Sequence, residues 1–134
     1  MRRKGFTLIE LLAAITILAL LALIAIPTVS KQIKNGKNNL YNSQLINIKS
    51  AAEAWGADNL FKLPEDSRCI TVTLGYLKEL GYLDNSVKDV KKNEEFSDDD
   101  TFVNISKDGN HYIYEVKTSG EKCDLVDEDI VNPE

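Results

Sequence analysis

The chain is 134 residues long, enough for one ordinary domain and too short for two with independent cores, which excludes a multidomain enzyme. Its net charge of -5 hides a sharp asymmetry: residues 1–52 carry seven basic side chains against Glu10 alone, net +6, whereas the other 82 residues carry nine Lys/Arg against twenty Asp/Glu, net -11. So acidic a distal part is a poor nucleic-acid surface, because phosphate binding needs Lys/Arg to displace condensed counterions.

From Phe6 to Ile26, 21 residues contain Glu10 as their only ionisable side chain, with Thr7 and Thr16 the other polar ones. As a helix this run is about 31 Å long, close to a hydrocarbon core of about 30 Å. Arg2, Arg3 and Lys4 precede it, which keeps the N-terminus cytoplasmic and sends the acidic part across the membrane. A removable secretory signal also has a basic start and an apolar stretch, but this run is longer than the usual one and contains no A-x-A triplet.

After Pro27 the pattern turns amphipathic. Tyr41, Leu45, Ile48, Ala52 and Trp55 recur in steps of four and three and form one face of a continuing helix that stops near Asn59. Pro27 removes a donor and crowds the preceding turn, so a kink or local break is expected there, and Gly36 is a second weak point. Farther on, Thr71 or Thr73 is positioned to cap a short helix through Leu80, with Gly81 at the left-handed C′ position. Residues 84–100 are polar, with little to bury, and read as a surface loop. Thr101 to Lys107 and His111 to Thr118 read as strands joined by Asp108-Gly109-Asn110, with a third short strand over Glu121 to Val126. So small a sheet needs cover, and the Tyr41 to Trp55 face supplies it. Residues 127–134 read as a tail. The predicted fold is α+β, a long N-terminal helix packed on a small antiparallel sheet.

Lys4-Gly5-Phe6-Thr7-Leu8-Ile9-Glu10 sits where the basic leader meets the apolar run. It closely resembles the type III signal of type IV pilins and pseudopilins. The likeness extends to about residue 59, including Pro27, and is looser beyond, where Val72-Thr73-Leu74 and Leu80-Gly81-Tyr82-Leu83 look like a segment common in small pilin-like proteins. The resemblance implies a leader of residues 1–5, a transmembrane and filament-core helix over 6–26, an amphipathic helix over 27–59 and a globular head over 60–134. It implies cleavage between Gly5 and Phe6 by a prepilin peptidase, with N-methylation of Phe6. It also implies that Glu10 pairs with the Phe6 ammonium of a neighbouring subunit; the simpler alternative is that Glu10 snorkels to the headgroups. The segment near Pro27 would bend.

The function so implied is structural and not enzymatic. The chain would be a type IV pilus subunit, inserted in the cytoplasmic membrane with its N-terminus inside, then polymerised with itself and homologous pilins into an extracellular filament by an assembly platform and ATPase. A pseudopilin of a type II secretion or competence apparatus shares the same signature, and a monomeric membrane-anchored binding domain is the reading from another class. Nucleic acid is not an expected direct partner.

Cys69 and Cys123 are the only cysteines, and the topology puts both outside, where a bridge would close a loop of about 55 residues. The bridge would resemble the cysteine-bounded C-terminal region of many type IV pilins; two free thiols are the other state. Asp98-Asp99-Asp100 and Asp127-Glu128-Asp129 suit a structural calcium of the kind some pseudopilins carry, but lack EF-hand spacing and read as solvated charge, so no cofactor is assigned. His111 is the single histidine and has no metal or catalytic companion in the sequence.

Overall fold

The computed structural model describes residues 5–126. The chain divides into two compact units, residues 1–38 and 39–134. The basic residues Arg2, Arg3 and Lys4 of the expected leader, and the expected tail over 127–134, lie outside the described residues.

Helix α1 spans Leu8–Asp58 and contributes to both units. From Leu8 to Lys37 every residue of it is exposed. No residue of its most apolar stretch is covered by the other described residues. Two of the hydroxyls in this part return to the backbone of the previous turn: Thr16 Oγ1 donates to the Leu12 carbonyl at 2.7 Å and Thr28 Oγ1 to the Ile24 carbonyl at 3.2 Å. Helical Ser and Thr commonly back-bond in this way, and it satisfies the hydroxyl without a partner from outside the helix. Of the kink or local break expected at Pro27, the break is absent: α1 is helical on both sides of it and through Gly36. The missing Pro27 N–H removes one bond to the Leu23 carbonyl, and the following turns carry the helix on.

The second unit is the α+β head. Ile48, Ala51, Ala52 and Trp55 of α1 are buried, with Tyr41 and Leu45 half-buried beside them, so the face read from the sequence is the one that packs. A 3₁₀ turn over Leu60–Lys62 follows, then β1 (Cys69–Thr73), α2 (Leu74–Glu79), β2 (Lys88–Asp89), β3 (Glu94–Glu95), β4 (Phe102–Asp108), β5 (His111–Lys117) and β6 (Asp124–Leu125). The main sheet has the order β5-β4-β1-β6. The first three strands are antiparallel neighbours, whereas β6 pairs parallel to β1 through Ile70↔Asp124 and Thr71↔Leu125. It is therefore a mixed four-stranded sheet, one strand larger than the sequence suggests.

The added strand is β1. Thr71 lies within it, buried and paired with Asn104, and is not a helix cap. Thr73 takes that role, its hydroxyl accepting from the Tyr76 N–H at 3.3 Å while its own backbone remains extended. At the other end of α2, Gly81 N–H donates to the Lys78 carbonyl at 3.1 Å and Tyr82 N–H to the Leu77 carbonyl at 3.0 Å, the Schellman pair, with Gly81 at φ +84°. The hairpin turns on Gly109 and Asn110 between the paired Asp108 and His111, with positive φ at Gly109 alone among the two.

Residues 84–100 are mostly surface turn, as expected, but they hold the two-stranded pair β2·β3 and send Val87 and Phe96 into the core. The Phe96 ring lies 6.0 Å from that of Tyr41. Asp89 is buried because its carboxylate is occupied: it accepts from the N–H groups of Lys91 and Lys92 at 2.9 and 3.3 Å.

Strand register divides the sheet into two chemically different faces. Ile70, Val72, Val103, Ile105, Tyr114 and Val116 belong to the core that includes Trp55. Opposite faces of the same strands carry Thr71, Phe102 and Asn104, all buried although they point away from that core. Their cover is the chain before β6. Cys123 N–H donates to Thr71 Oγ1 at 2.7 Å, Thr71 Oγ1 donates to Asn104 Oδ1 at 2.6 Å, and Asn104 Nδ2 donates to the Glu121 carbonyl at 3.3 Å. The Lys122 ammonium stands 5.5 Å from the Phe102 ring centroid. Cys69 and Cys123 are joined, with Cα atoms 5.5 Å apart, and close the same layer covalently.

Candidate processing and assembly segment

The segment from Gly5 to Glu10 is built around the first turn of α1. Thr7 precedes the first helical residue, and its hydroxyl accepts from the Glu10 N–H at 3.3 Å. The Glu10 carboxylate reaches back and accepts from the Thr7 N–H at 3.0 Å. This reciprocal pair is a capping box, which satisfies two of the orphan donors at the helix start and sets a negative charge at the positive end of the dipole. Glu10 therefore has a partner within its own chain, on Thr7, whose role the sequence reading missed. The signal was available, because Thr7-x-x-Glu10 ahead of an apolar run is the sequence mark of such a box.

Phe6 is 91% exposed and stands just outside the cap. At Gly5 an added Cβ would meet nothing within 4 Å, and no positive φ requires glycine there. Nothing among the described residues thus requires glycine at position 5. A demand for it would come from whatever reads the segment from outside.

Other residues singled out in the sequence fall elsewhere. His111 opens β5, exposed and opposite Asp108. Asp98 pairs with the Lys78 ammonium at 2.8 Å, and Asp100 accepts from the Ser97 hydroxyl at 3.2 Å. Asp127-Glu128-Asp129 lies outside the described residues. Among the described residues no group of three His, Cys, Asp or Glu is arranged to hold a metal ion. Two tyrosines of the head resist ionisation. A hydrogen bond to the Asp58 carboxylate, donated at 2.7 Å, raises the Tyr82 pKa, and burial, aided by nearby Glu53, raises that of Tyr114.

Residues 1–26 match a family model described as the prokaryotic N-terminal methylation motif. The chain carries a prepilin-type signal. That signal is the one found on type IV pilins and pseudopilins. No curated protein and no solved structure matches the chain. The match ends at Ile26, so the head described above rests on its own structure.

Proposed function

We propose that the chain is a type IV pilus subunit, cut by a prepilin peptidase between Gly5 and Phe6, held in the cytoplasmic membrane by α1 with its head outside, and polymerised into a filament whose core is the apolar part of α1. The observation that carries this reading is the methylation motif at the head of a helix whose N-terminal apolar run has no cover among the described residues. Copies of the same helix provide that cover. Once the leader is gone, Phe6 bears a free ammonium one residue before the Thr7–Glu10 box. A neighbouring subunit's Glu10 is the carboxylate that neutralises it in the apolar core. Assembly platform and ATPase act on the processed subunit, as for other bearers of the signal.

The capping box dictates how this is tested. Glu10→Ala removes both the charge and the cap, whereas Glu10→Gln keeps an acceptor for the Thr7 N–H and removes only the charge. Both variants are expected to yield processed, folded, membrane-resident subunit with few sheared surface filaments, because an unpaired buried ammonium costs about 3–5 kcal/mol. Normal filament numbers in Glu10→Gln, with loss only in Glu10→Ala, would show that the cap and not the charge matters and would overturn the pairing. Filaments seen only when the chain is overproduced would assign it instead to a pseudopilus.

A further inference from the structure

The positive charge of the proximal part has no role in the account above. From Leu11 to Ala52 the chain contains no Asp or Glu, yet it holds Lys31, Lys34, Lys37 and Lys49. Lys49 pairs with Glu53 one turn on, at 3.9 Å. The other three are exposed on α1, and none has a carboxylate within 4 Å among the described residues. They lie in the same compact unit as the apolar run.

Their spacing from that run is informative. Lys31, Lys34 and Lys37 stand five, eight and eleven residues beyond Ile26 on an unbroken helix, or about 7, 12 and 16 Å of rise. The polar headgroup layer is about 5–7 Å thick on each side of the hydrocarbon. The Lys31 ammonium therefore falls at its outer edge, and the other two return toward it by bending their long stems or act within a screening length of about 8 Å. Successive steps of three turn each lysine about 60° from the last, so the three fan over one side of the helix. Beyond Lys37 the charge stops: no ionisable group other than Tyr41 occurs before Lys49. A band confined to this depth matches a membrane surface better than it matches the acidic head of another copy, which would favour cations spread along the helix.

We propose that Lys31, Lys34 and Lys37 bind anionic phospholipid headgroups where α1 leaves the bilayer, and so hold the subunit at a fixed depth. This rests on α1 spanning a membrane and not on polymerisation. Removal of the leader takes away Arg2, Arg3 and Lys4, which makes these lysines the basic flank that persists in the processed subunit.

The test uses the full chain with Arg2, Arg3 and Lys4 changed to Gln, reconstituted in vesicles of equal parts phosphatidylglycerol and phosphatidylcholine, with retained lipids counted by native mass spectrometry. The parent should retain phosphatidylglycerol in preference. Adding Lys31→Gln, Lys34→Gln and Lys37→Gln should lower that preference about fivefold for Lys31 and by progressively smaller factors for Lys34 and Lys37, on the order of tenfold or more together. An unchanged preference would overturn the proposal. So would an unchanged preference accompanied by weaker cross-linking between copies, which would assign the lysines to a protein partner. Release of the parent chain from vesicles by alkaline carbonate would overturn the spanning reading itself, a result distinct from the other two.

Discussion

Gly56 offers the sharpest test of how the head is seated on α1. It is buried near the helix end, and a Cβ built there would collide with the Tyr114 hydroxyl oxygen, while Leu63 Cδ2 and Tyr114 Cζ would each lie at 3.3 Å. Two effects oppose each other in Gly56→Ala. Helix propensity favours alanine by up to about 1 kcal/mol. Overpacking against a ring held by β5 costs about 1–3 kcal/mol. The collision should win, giving a net loss of about 1 kcal/mol. Tyr114→Phe deletes the colliding oxygen and leaves contacts that a small shift relieves. In that background Gly56→Ala should therefore become neutral or stabilising, a coupling of about 1–2 kcal/mol between the two sites. Trp55, the chain's single tryptophan and fully buried, reports head unfolding by fluorescence when the full chain in detergent is titrated with urea. Stabilisation by Gly56→Ala in the unmodified chain, or an equal loss in both backgrounds, would refute the reasoning.

Three further outcomes are expected. Gly5→Val should leave the precursor uncut in the membrane with an unaltered head, since the fold leaves that position open; N-terminal sequencing showing a mature chain that starts at Phe6 would contradict it. Thr71→Val should cost about 2–4 kcal/mol in the urea titration, because it strands both the Cys123 N–H and Asn104, whereas Thr71→Ser should fall within about 1 kcal/mol of the parent. Changing both Cys69 and Cys123 to Ser should lower head stability by about 4 kcal/mol on the chain-entropy account; a loss below about 1 kcal/mol would show that the bridge constrains little.

Features set by local rules were readable from the sequence. The Tyr41 to Trp55 face follows from apolar spacing, the end of α2 from Gly81, and the hairpin from Asp108-Gly109-Asn110, each decided by a few neighbouring residues. Strand β1 was harder because Thr73 serves two elements, ending the strand with an extended backbone and capping α2 with its hydroxyl. Read as a cap alone, it conceals the β-branched run before it. Val87 and Phe96 enter the core from a segment with no period to reveal them. Pro27 leaves α1 unbroken, its lost N–H being one bond among many in a 51-residue helix. At the processing segment, the resemblance points Glu10 toward a partner in another subunit, whereas the structure also gives it a nearer one, Thr7.

The second face of the sheet lay beyond such rules, since it exists only once β4 has been registered on β1. The same register explains the cysteine bridge. Parallel pairing of Ile70 with Asp124 and of Thr71 with Leu125 places Cys69 and Cys123 one step earlier on the same ladder, so the bridge extends a pairing already made. Two paired residues are a weak strand by themselves. Here the Thr71 hydroxyl accepts from Cys123 N–H and the Thr71 carbonyl from Val126 N–H at 3.1 Å, fixing the segment on both sides of β6. These bonds act in the folded chain, whereas the disulfide acts mainly by restricting the unfolded one. Removing the bridge should then lower the midpoint of unfolding while leaving the Cys123 and Val126 amides protected in the native head, and removing the Thr71 hydroxyl should expose the Cys123 amide even with the bridge intact. The covalent and the polar closures therefore divide the work between the two states, which is how so small a head keeps a buried polar layer opposite its apolar core.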